Sequence, residues 1–94
     1  MFGDLRLEPC RPNPFSPSTS IRYWLGSTEQ VRIDLFDVVG RLVRHWDRGV
    51  QETGGYEIVW DGVDDSGREV TAGIYLAKVT AGRLAETVRV VRLR

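Results

Sequence analysis

From Ile21 to Leu25 and again from Val31 to Leu35, apolar side chains fall at every second residue. Ile21, Tyr23 and Leu25, then Val31, Ile33 and Leu35, are separated by Arg22, Trp24, Arg32 and Asp34. A repeat of two sends one set of side chains to each face of an extended chain. Leu5 and Leu7, and Tyr56, Ile58 and Trp60, repeat the pattern, and no window carries a helical stripe. Strands that are apolar on one face only need a second sheet to cover that face. The chain is therefore predicted to be all-β, an antiparallel sandwich.

The punctuation sets the number of strands. A first strand holds Leu5 and Leu7, ends at Pro9, and leads into a segment kept extended by Pro12, Pro14 and Pro17. The second strand ends at a Gly26-Ser27 turn and the third at Asp37 to Gly40. The fourth is expected from Arg41 to Trp46, at a sheet edge because charged residues interrupt it. A polar connection from Asp47 to Gly55 follows, then the strand through Tyr56, Ile58 and Trp60. Asp61 to Arg68 reads as a turn, Glu69 to Val79 as the sixth strand, and Arg83 to Leu93 as the last, entered by a hairpin turn at Ala81-Gly82. About seven short strands with frequent turns predict an immunoglobulin-like sandwich. Without the cysteine pair of antibody domains, its core must rest on aromatic and branched side chains, with Trp60 and Tyr75 as anchors.

Ninety-four residues suffice for a single domain, 1–94. Thirteen basic residues balance thirteen acidic ones, which argues against nucleic acid or an anionic membrane surface as partner. No apolar run is long enough for a membrane span. Cys10 is the only cysteine, so no internal disulfide is possible, and it reads as a small structural side chain near the start of the first strand.

Catalytic residues are not expected. His45, the sole histidine, has no Gly-x-Ser-x-Gly elbow to serve, and one His with one Cys cannot fill a zinc shell. The turn Asp61-Gly62-Val63-Asp64-Asp65-Ser66-Gly67 brings three carboxylates together, but not at EF-hand spacing. It is read as a turn closed by its own aspartates, with no metal and no cofactor expected. Trp24 and Trp46, if both exposed, are candidates for stacking on a sugar ring. Asn13-Pro14-Phe15 matches a short peptide ligand of eukaryotic domains only weakly, and the proline rules Asn13 out as a glycosylation acceptor.

A longer series is more specific. It begins Asn13-Pro14-Phe15-Ser16-Pro17-Ser18-Thr19-Ser20-Ile21 and continues Val31-Arg32-Ile33-Asp34-Leu35-Phe36-Asp37-Val38-Val39-Gly40-Arg41. Trp60-Asp61-Gly62, Asp65-Ser66-Gly67, Gly73-Ile74-Tyr75 and Val90-Val91-Arg92-Leu93 complete it. From about Pro12 to Arg94 the chain resembles the type A C-terminal sorting domain of type IX secretion substrates. It is equally similar to the immunoglobulin-like domain named after the flagellar hook-capping protein. Trp60-Asp61-Gly62 with Asp65-Ser66-Gly67 follows the hook-capping style, and Arg89, Arg92 and Arg94 stand where many sorting domains carry lysine.

The resemblance implies a non-catalytic sorting and anchoring domain at the C-terminus of a larger exported protein of the Bacteroidetes lineage. Met1-Phe2-Gly3-Asp4 carries no signal-peptide pattern, which fits a piece of such a chain. The implied partners are an outer-membrane secretion translocon, a sorting peptidase and the upstream cargo domain, and the implied location is the cell surface or the medium, reached through the periplasm. Recognition in the family depends on the last strands, which carries over to Gly73, Tyr75, Val90, Val91, Arg92 and Leu93. The alternative is a structural immunoglobulin-like module of an extracellular or flagellar hook assembly. A carbohydrate-binding accessory module is the weaker third reading.

Overall fold

The computed structural model describes residues 4–93, and within them every regular element is a strand. The strands are β1 (Leu5–Leu7), β2 (Thr19–Leu25), β3 (Glu29–Asp37), β4 (Leu42–Gln51), β5 (Gly54–Trp60), β6 (Gly73–Ala81) and β7 (Leu84–Arg92). A three-stranded sheet in the order β1-β2-β5 faces a four-stranded sheet in the order β4-β3-β6-β7. All five strand pairings are antiparallel. The predicted immunoglobulin-like sandwich is the fold.

The alternating positions supply the interior. Ile21, Tyr23, Leu25, Ile58 and Trp60 are buried from one sheet, and Val31, Ile33, Leu35, Tyr75, Ala77, Val79, Ala81 and Val90 from the other. Trp60 and Tyr75 are both buried, and the edge of one ring meets the face of the other at a centroid distance of 5.3 Å. Each also places its polar atom on backbone, Trp60 Nε1–H donating to Val63 O and Tyr75 O–H to Thr71 O. The Tyr75 contact runs four residues upstream from the start of β6, the arrangement of a tyrosine corner.

Four local expectations are corrected. The fourth strand does not stop at Trp46: β4 continues to Gln51, and only Glu52 and Thr53 separate it from β5. Two register shifts explain why, since Val43 and Arg48 are extra residues on β4 opposite unbroken runs of β3. Each bulge inverts the apolar alternation, so a continuous strand reads as a broken one. Glu69 to Ala72 lies outside β6, because Asp64 N–H to Arg68 O and Val70 N–H to Gly62 O fold 62–70 into its own small hairpin. The last hairpin turns at Gly82-Arg83, one residue later than expected, with Ala81 opposite Leu84. Gly82 has φ +60° and Arg83 does not, the signature of a type II′ turn. Cys10, finally, lies between β1 and β2 rather than at the start of β1. Burial there pushes its thiol up to about 11, so it stays protonated and unreactive at neutral pH.

Candidate functional site

The proline-rich segment folds against the C-terminal strand. Asn13 Nδ2–H donates to Arg89 O at 3.0 Å, and Val91 N–H donates to Asn13 Oδ1 at 2.9 Å. Phe15 then pairs in parallel, its N–H donating to Val91 O and its carbonyl accepting from Leu93 N–H, each at 2.9 Å. The Phe15 ring is buried and packs on Trp60 at a centroid distance of 5.3 Å. Phe15, Trp60 and Tyr75 therefore form one aromatic column joining the loop, β5 and β6. The prolines make this geometry accessible: they cannot donate to a ladder, so Asn13 and Phe15 between them carry the pairing.

Beside this column lies Arg92, only 4% exposed. Its Nη1 donates to Gly62 O at 2.7 Å and to Val70 O at 2.6 Å, and Nη2 to Glu69 Oε1 at 2.8 Å. A buried guanidinium needs such partners. Gly62 is required on two counts, because its φ is +79° and a Cβ there would lie 2.6 Å from Arg92 Cζ.

The six residues singled out for recognition meet at this end of the β6–β7 hairpin, where Gly73 pairs with Arg92 and Tyr75 with Val90. Tyr75, Val90 and Arg92 point inward and are buried. Val91 is half-buried under the proline-rich loop, and Leu93 is exposed. The surface actually presented here is apolar, with Leu93 and Ile74 joined by Val38 and Val39 at the β3–β4 tip and by Leu42. A shallow groove runs between that tip and residues 64–75.

The acidic turn shares the same end, but its carboxylates diverge. Asp64 Oδ1 accepts from Ser66 N–H, Ser66 O–H and Arg68 N–H. These bonds, that of the Ser66 hydroxyl foremost, hold its carboxyl below the usual range. Asp65 turns to β4, where its carboxylate accepts from His45 N–H and meets the His45 ring Nδ1 at 2.6 Å. Desolvation works to raise the Asp65 carboxyl, yet the His45 contacts prevail and lower it. Asp61 faces Arg44 at 3.5 Å. Among the described residues no group of three His, Cys, Asp or Glu is placed to hold a metal ion. His45 is thus tied to the turn through Asp65, by its backbone N–H and its ring Nδ1.

The tryptophans do not share a platform. Trp24 is on β2 and lies over Gly55, covering a strand glycine that has no side chain of its own to pack. Trp46 is on β4 in the other sheet, with the Arg44 guanidinium 4.7 Å from its ring centroid.

Sequence reasoning found Trp60, Tyr75 and the importance of the Asn13 segment, but missed the contact between that segment and β7. It also missed the Arg92–Gly62 lock. The signal available for the lock was a lone charge at an inward position of an alternating strand, two residues after Val90.

A three-on-four sandwich with a tyrosine corner, closed by a loop laid along its last strand, is an immunoglobulin-like module. The chain belongs to the FlgD Ig-like domain family, whose family model matches residues 17–84. Among solved structures it is similar to dimeric latent PorU from Porphyromonas gingivalis, at 21% identity and a TM-score of 0.81. That likeness covers 98% of this chain and 9% of PorU, so the chain spans a small fraction of that protein's length. FlgD from P. aeruginosa matches at 19% identity and a TM-score of 0.67, over 96% of this chain and 70% of that one. FlgD from Xanthomonas campestris, described in connection with hook capping in flagellar assembly, matches at 19% identity and a TM-score of 0.64, over 96% of this chain and 66% of that one. No curated protein sequence matches. The relationship to the hook-capping module read from the motifs returns in the family match, and PorU shares the fold.

Proposed function

We propose that this chain is a non-catalytic sorting and anchoring module that directs a larger protein across the outer membrane. The observation that carries the reading is the PorU likeness: almost the whole chain superposes on a segment making up 9% of a much larger protein. The series from Asn13 to the Val90–Leu93 end adds the resemblance to type IX sorting domains. Its partners are then the outer-membrane translocon, a sorting peptidase and the cargo to which it is joined, and its place of action is the cell surface. Of the six carried-over residues, Leu93 and Val91 offer surface to a translocon, while Tyr75, Val90 and Arg92 act by shaping the strand that bears them. Among the described residues no helix is long and apolar enough to cross a membrane.

The second reading, a structural immunoglobulin-like module of an extracellular or flagellar hook assembly, is favoured by the family match over residues 17–84 and by both FlgD structures. A reporter fused ahead of the full chain, in a host with type IX machinery, separates the two. Sorting predicts reporter outside the cell and its loss on Leu93→Glu, a change at an exposed side chain that leaves the core intact. A reporter retained in the periplasm with the folded wild-type module rejects sorting and leaves the structural role. Deleting β7 would be uninformative, because it removes buried Val90 and Arg92 with it.

A further inference from the structure

The outermost strands of the four-stranded sheet are β4 and β7. At the same end of the molecule, each has two of its backbone groups met by a single residue that stands in for a neighbouring strand. On β7 the Asn13 amide both donates to Arg89 O and accepts from Val91 N–H. On β4, Asp65 N–H donates to Val43 O at 2.9 Å and Asp65 Oδ1 accepts from His45 N–H at 3.1 Å. In both cases the carbonyl of residue i and the N–H of residue i+2 are taken by a single group, as one residue of a parallel neighbour would take them, and as Phe15 takes Val91 O and Leu93 N–H on β7. An Asn amide reproduces a peptide group outright, and an Asp does so with its own N–H and carboxylate.

The placement has a physical reason. This is the apolar end, where Val38 (70% exposed), Val39 (71%) and Leu42 flank β4, and Ile74, Leu76 and Leu93 flank β7. An open edge between exposed apolar side chains is a template for another strand, above all that of an identical chain. The far halves of the two edges are handled differently. There β4 carries the charged side chains of Asp47 and Arg48, and β1 runs alongside β7.

We propose that Asn13 and Asp65 are edge guards, which exclude a second copy of this chain from adding its strands to β4 and β7. The excluded partner follows from the flanks, since both edges are bordered by exposed apolar side chains and a second copy brings the same apolar borders to either of them. Phe15 stays on β7 through its own backbone bonds, so losing Asn13 alone opens Arg89 O and Val91 N–H without displacing the loop.

The test is the mass of the full chain by light scattering from micromolar to millimolar concentration, with amide exchange at His45 and Val91. The wild type is expected to stay monomeric throughout. Asn13→Ala/Asp65→Ala is expected to rise with concentration to roughly twice the monomer mass or more. Its His45 and Val91 amides should lose protection when dilute and regain it on association. Asp65→Asn keeps an acceptor oxygen for His45 N–H and is expected to remain monomeric. If the double variant does not fold, each single variant carries the same expectation at its own edge. Folded alanine variants that stay monomeric at every concentration overturn the proposal, and so does association of Asp65→Asn equal to that of Asp65→Ala.

Discussion

Trp60 touches Phe15 on one side and Tyr75 on the other, so its removal empties the junction of loop and sheets. Trp60→Ala is expected to cost about 3–5 kcal/mol, read as a melting temperature far below wild type. An unchanged melt would mean the column bears no weight. Arg92→Ala strands the carbonyls of Gly62 and Val70 and is expected to cost about 2–3 kcal/mol by denaturant titration. Gly62→Ala is damaging for its clash with Arg92 as well as its φ, so it should cost less in the Arg92→Ala background than alone. Additive losses would rule out the lock. Acid stability is also decided at single residues. Asp37, held low chiefly by the Arg41 backbone N–H, and Asp64 both have folded pKa values below the unfolded range. Their stabilisation is complete above the unfolded carboxyl value of about 4 and disappears as pH falls through the lowered folded values. Melting temperature should therefore fall below that pH in the wild type, and more gently in Asp37→Asn and Asp64→Asn.

At the scale of elements, the strands whose alternation is unbroken were legible. The buried side chains of β2, β3 and β5 fall at every second residue, and reading every second residue finds them. β4 was misread because its two extra residues shift the pattern out of phase, a property of its pairing with β3. The β6–β7 turn was displaced by one residue because Ala81 and Gly82 both suit a turn, and only the Ala81–Leu84 register decides between them. Replacing Gly82 tests that assignment. Gly82→Ala places an L-residue at φ +60° and is expected to cost about 1–2 kcal/mol, measured by denaturant titration, whereas Ala81→Gly disturbs a buried strand position instead.

For the whole molecule, 42 Å long and 22 by 20 Å across, the aromatic column makes one cooperative unit of two sheets and a loop. Unfolding should show equal calorimetric and van't Hoff enthalpies, while a separate early transition for the proline-rich segment would contradict that coupling. The chain's residues alone settled the all-β class, the sandwich and the two aromatic anchors, and narrowed the family to two, because side-chain alternation, turn chemistry and motif order are local or linear properties. Only the tertiary structure placed Asn13 on β7, sank Arg92 beneath Gly62 and turned Asp65 toward β4. Those contacts join residues 76, 30 and 20 positions apart, and no periodicity reports which distant backbone group a side chain will find.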